Sequence, residues 1–145
     1  MFFKSAAIVL ALLVAPVLAF AEGVTHHVAI HVDQNDPKVM NMALNNAANI
    51  ASHYKSVGDE VVIEVVAYGP GLNMFVAGKS PVEQRIASMA LEMSNLSFAA
   101  CGNTHRAMSA KAGATVPLME EAVVVPSGAV RLIELQENGY AYIRP

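Results

Sequence analysis

THHVAIHV at residues 25–32 and EVVIEVVAY at residues 60–68 frame the stretch whose reading decides the fold. In the first segment Val28, Ile30 and Val32 alternate with smaller or polar residues, the pattern of a strand. The second is a β-branched strand over Glu60–Tyr68. Between them Asp36-Pro37 opens a helix, with proline in its first turn. Val39, Ala43, Ala47, Ile50 and Tyr54 recur at helical spacing, flanked by Met40, Leu44, Ala48 and Ala51. Asn41, Asn45, Asn49 and Ser52 fall on the wet face, Asn46 lies at the border of the apolar arc, and Gly58 ends the helix. A strand, a helix and a strand in this order make a right-handed unit with parallel strands.

Outward from that unit the alternation continues. Gly69-Pro70-Gly71 stops the second strand, and Leu72–Ala77 fits a short turn of helix. Ser80-Pro81-Val82-Glu83 is a start signal with serine as cap, proline at the first helical position and glutamate at the third. Val82, Ile86, Met89, Ala90 and Met93 then form an inner stripe. Leu96–Ala100 reads as a third strand, Thr104–Ala112 as a short helix closed by Gly113, and Ala122–Val125 as a fourth strand. Ser127–Glu137 is a helix closed by Asn138-Gly139, and Tyr140–Ile143 a last short strand. The expectation is an α/β protein, a three-layer α/β/α sandwich around a mainly parallel sheet of about five strands. Ligands in such sheets bind beyond the carboxyl ends of the strands. Chain order gathers His31–Asn35, Tyr68–Gly71, Cys101–Thr104 and Pro126–Gly128 there.

Residues 1–21 read as a signal peptide rather than as part of this fold. Lys4 supplies a short basic start, Ser5–Leu18 is almost wholly apolar, and Ala19-Phe20-Ala21 presents small residues for cleavage before Glu22. An uncleaved anchor is the other reading of so apolar a segment. Cleavage leaves residues 22–145 as a single domain, exported to the periplasm and free of the membrane. The formal net charge is −3. No basic run or basic–aromatic interleaving accompanies it, which argues against nucleic acid as a partner.

The chain has one cysteine, and a lone cysteine in an exported protein is buried and inert, an intermolecular partner, or a reactive thiol. Cys101 sits where an apolar strand meets a helix, so the amide dipoles of that helix favour its thiolate. Gly102 permits close backbone approach, and Asn103 or Thr104 can cap the helix beside the sulfur. His105, four residues on, is a candidate to stabilise the thiolate or to share a metal with it. His31 stands at the carboxyl end of its strand. Strand alternation sends His26 to one face and His27 with His31 to the other. Tyr68 and Gly69 shape a wall of the same edge. Other chemistries find no pattern: there is no phosphate loop and no Gly-x-Ser-x-Gly elbow, and the acidic pairs Asp59-Glu60 and Glu120-Glu121 fall in connections. No cofactor and no structural metal site is expected.

Further features are shared with a known family. These are His31-Val32-Asp33, Ala43-Leu44-Asn45-Asn46-Ala47-Ala48-Asn49, Ala67-Tyr68-Gly69-Pro70-Gly71, Phe98-Ala99-Ala100-Cys101-Gly102-Asn103-Thr104, Val125-Pro126-Ser127-Gly128 and the terminal Gly139-Tyr140-Ala141-Tyr142-Ile143. In them the chain resembles the DsrE/DsrF-like (YchN-like) proteins of sulfur oxidation and sulfur relay. The resemblance implies a three-layer α/β/α fold, assembly as homotrimers or hexamers, and a persulfide carried on Cys101, with Gly102, Asn103 and Thr104 shaping its surroundings. His31 and Asn46 match recurring positions of the family. Tyr68 stands where many relatives have histidine, and His105 where an apolar residue is more usual. The expected function is acceptance and transfer of sulfane sulfur, exchanged with a donor or acceptor protein or a small sulfane-sulfur compound. The alternative is a non-catalytic oligomeric module that holds a metal or small thiol ligand near Cys101 and His105.

Overall fold

A computed structural model describes residues 23–145; the expected signal peptide and its cleavage site lie outside the described residues. Five strands form one sheet: β1 (Thr25–Val32), β2 (Glu60–Ala67), β3 (Leu96–Cys101), β4 (Ala122–Val125) and β5 (Ala141–Ile143). The helices are α1 (Pro37–Val57), α2 (Glu83–Glu92), α3 (Gly102–Ala112) and α4 (Gly128–Glu137), with a 3-10 helix over Gly69–Phe75. Strand order is β4-β3-β2-β1-β5 and every pairing is parallel. This is the expected three-layer α/β/α fold.

The order dictates the layers. The steps β1 to β2 to β3 to β4 all run the same way along the sheet, so right-handed crossovers put α1, α2 and α3 on one face. The last step returns past β3, β2 and β1 to β5, which puts α4 on the other. Side-chain alternation agrees. Val28, Ile30, Val32, Ile63, Val65, Phe98 and Ala100 pack with Met40, Ala43, Leu44, Ala47, Ile86 and Met89 in the larger core. Ala29, Val66 and Ala99 pack with Leu132 and Leu135 in the smaller one under α4. A partly buried ion pair anchors that helix. Glu64, 8 % exposed, accepts from Arg131 Nε and Nη2 at 2.7 Å each.

Local chemistry sets the element ends. Asp36 caps α1 by accepting from the Lys38 amide at 2.8 Å, and Gly58 closes it at φ 83°. The start of α2 differs from the expectation. Ser80 does accept from the Val82 amide, but it also donates to the Met74 carbonyl, and Val82 stays outside helical geometry at φ −124°, ψ 15°. Serine and proline therefore form a preceding turn, and the helix begins at Glu83. The second difference matters more for chemistry. β3 runs through Cys101 and α3 begins at Gly102, so strand and helix abut with no intervening loop. Among the described residues, no helix is long and apolar enough to cross a membrane.

Candidate functional site

Cys101 ends β3 level with Val125 of β4, on the face that α4 covers. As the residue before α3 it occupies the cap position, yet no side-chain cap bond is made there. The first amides of α3 are thus available to the sulfur. A second helix converges on the same point. Gly128 opens α4, and a Cβ built there would lie 3.1 Å from the Cys101 Cβ and 3.0 Å from the Tyr68 Cβ. Glycine is favoured at this contact by space rather than by φ. It lets the amide end of α4 settle onto the cysteine.

The electrostatics follow from that packing. Cys101 is 4 % exposed, and burial pushes its thiol up. The Thr104 hydroxyl and the amides of Gly128, Thr104 and Asn103 outweigh burial and hold the thiol below its ordinary value. The hydroxyl is itself oriented. Thr104 Oγ1 accepts the Gly69 amide at 2.9 Å, so its own proton is left for the sulfur. Gly69 adopts φ +55° to bring that amide round, a conformation that favours glycine. The backbone amides and the single hydroxyl around Sγ would serve its anion as an anion hole.

Tyr68 and His31 extend the site along the sheet edge. Tyr68 follows β2 and touches Gly128 on one side. On its other side its ring meets that of His31 at 4.4 Å between centroids. His31 Nδ1 is hydrogen-bonded to the Tyr142 hydroxyl at 2.7 Å, across from β5. Burial, ahead of the opposing effect of Asp33 and the reinforcing one of Arg144, lowers the His31 pKa and keeps the ring neutral. Asp33 and Arg144 pair with each other, at 2.7 Å from Nη2.

Other candidates fall elsewhere. Asn103 Oδ1 accepts from Arg106, so only its backbone serves the sulfur. His105 Nε2 bonds the Val116 carbonyl at 2.7 Å, which turns the ring towards the connection after α3. It is not among the groups acting on Cys101. Asn46 lies on α1, across the sheet from the cysteine and partly exposed. His26 stacks on Tyr54 of α1, whereas His27 meets Tyr140 on the α4 side, the division that strand alternation implies. Among the described residues no three His, Cys, Asp or Glu side chains gather to hold a metal ion. Chain order gathered Gly128 at this edge without a role at the sulfur, and Tyr142 is absent from the sequence-derived site. The Ser127-Gly128 helix start was a usable signal for the first; nothing local marks the second, 111 residues from its partner.

No family model and no curated protein matches the chain. Among solved structures it is similar to protein MTH1491 from Methanobacterium thermoautotrophicum, described as of unknown function. The identity is 31 %, over 83 % of this chain and 99 % of that one, with a TM-score of 0.69.

Proposed function

This chain belongs to the same family as MTH1491, and from that premise we propose a function on the chemistry of its own residues: an exported sulfur-handling protein in which Cys101 accepts a sulfane sulfur, holds it as a persulfide and passes it on. The observation that carries the reading is a buried cysteine set at the first residues of two helices, Gly102 of α3 and Gly128 of α4, with the Thr104 hydroxyl beside it. A cysteine kept only for packing needs no amides directed at it. A thiolate does, and so does the terminal sulfur of a persulfide, which is also an anion.

The step is simple. Thiolate Sγ attacks the sulfane sulfur of a donor, a new S–S bond forms at Cys101, and the donor's S–S bond breaks. The departing group keeps the electron pair, and no net oxidation occurs. Release to an acceptor thiolate is the same step in reverse. Membership of the DsrE/DsrF-like proteins, assembly into a homo-oligomer and a periplasmic location are parts of the same proposal. They are supported by the motifs around Cys101 and by the leader-like residues 1–21.

Intact mass before and after exposure to polysulfide, beside Cys101→Ser, tests the reading. The expected result is a gain of one sulfur atom, reversed by a reductant and missing in the serine protein. No gain, together with a native thiol that refuses an alkylating reagent, would leave Cys101 a packing residue.

A further inference from the structure

β4 is an edge of the sheet, and its outer side is open among the described residues. The Ala122 amide donates to the Met119 carbonyl, away from β3. Along a strand the N–H and C=O of one residue point to one side and those of the next to the other, so Val124 also faces away from β3. Its amide and carbonyl have no partner among the described residues. The side chains are open too. Val123 and Val124 point to opposite faces of the sheet, yet they are 66 % and 52 % exposed. Monomeric proteins guard such an edge with a charge, a proline or a bulge inside the strand, and Ala122-Val123-Val124-Val125 carries none of them.

The two ends of β4 differ in charge. Glu120 and Glu121 precede it, and neither is in an ion pair among the described residues. Arg106 stands at the other end. Its Nη1 and the carbonyl oxygens of Val125 and Pro126 all fall within 3.4 Å of the point where a Cβ on Gly102 would sit. The Arg106 side chain donates to Asn103 and has no carboxylate partner among the described residues. A strand that is acidic at its start and basic at its end is complementary to itself when the two run antiparallel. Parallel pairing would set like charges together.

We propose that β4 is a twofold interface, covered by the β4 of a second copy of this chain. At the axis Val124 meets its own counterpart as a hydrogen-bonded antiparallel pair, each donating its N–H to the other's C=O. Val123 then lies opposite the second copy's Val125 on the α4 face. Glu120 and Glu121 of each copy reach the end of β4 at which Arg106 of the other stands. Pro126 has no N–H and that of Ala122 is spent on Met119, so the ladder is confined to the central pair. The valines and the two charge clusters supply the rest, and two five-stranded sheets become one. The contact borders the candidate site, since Cys101 pairs with Val125 and Arg106 bonds Asn103. The inference rests on the homo-oligomer of the proposed function and not on sulfur chemistry at Cys101.

Sedimentation velocity of the purified protein across a concentration series tests the contact. The expected result is an even number of copies, a dimer or a hexamer. Val124→Lys sets two like charges against each other at the axis and should raise the dissociation constant about tenfold. Arg106→Glu should raise it by a similar factor. Adding Glu120→Arg and Glu121→Arg to Arg106→Glu should restore it to within about threefold, a recovery that damage to the fold cannot give. Added salt should weaken association of the wild type. Val57→Lys, at an exposed valine of α1, should change nothing, because that helix packs on β1 and β2. A monomer at every concentration would overturn both the homo-oligomer and this interface. A trimer that goes no further, or an oligomer indifferent to the charge exchange, would uphold the homo-oligomer and overturn the interface.

Discussion

The Thr104 hydroxyl accepts the Gly69 amide at 2.9 Å and has its own proton to donate to the Cys101 sulfur. Thr104→Val keeps the shape and removes that proton. Alkylation followed across pH should place the wild-type midpoint below that of a free thiol, about 8.5. The valine protein should titrate later and react roughly tenfold more slowly at pH 7. Gly128→Ala should move the midpoint the same way, because its Cβ would press on Cys101 and Tyr68 and lift the α4 amide off the sulfur. A wild-type midpoint at or above the free-thiol value would remove the anion hole from the account. Cys101, Gly102, Asn103 and Thr104 were legible at this scale because they are contiguous, and a strand running into a helix is a local pattern. Gly128 was legible as a helix start at the same sheet edge, but what its amide meets depends on where α4 lands.

At the scale of elements, α4 is the single α-helix on its face among the described residues, and Glu64 with Arg131 ties it to the centre of the sheet. Glu64 interrupts the β-branched run of β2 and is hard to bury alone. Arg131→Met would leave that carboxylate unpaired. Because the Arg131 side chain is 35 % exposed, the loss should fall below the range for fully buried pairs, at about 2 kcal/mol in denaturant unfolding. An unchanged midpoint would mean that Leu132 and Leu135 hold the helix unaided. Element reading from hydrophobic period worked where one face is buried, as in α1 and β1. It placed the start of α2 early because Ser80 has two partners, and the second lies in the preceding 3-10 helix. Spacing along the chain also favoured His105 as a neighbour of Cys101. The strand-to-helix junction sends the cysteine to the α4 face, while the histidine ring turns to Val116.

For the whole molecule, the neutral state of buried His31 couples stability to pH. The unfolded chain binds a proton near pH 6.5, where the folded chain does not. Stability is therefore complete above that point and falls as pH drops below it towards the lowered folded value. The slope from this residue is at most about 1.4 kcal/mol per pH unit. Urea unfolding at pH 7.5 and pH 5.5 should show a larger loss for wild type than for His31→Gln; equal losses would show that the histidine titrates alike in both states. What the sequence determined by itself was the layered parallel fold, because hydrophobic period and turn chemistry are local and right-handed crossover leaves few topologies. It also determined the edge at which chemistry-bearing residues collect, since every parallel strand ends there. Only the tertiary structure decided which of them meet. The return of the chain to β5 brings Tyr142 onto His31 and lays α4 over Cys101. Those contacts depend on strand order and packing between elements distant in the chain, and no local pattern encodes them.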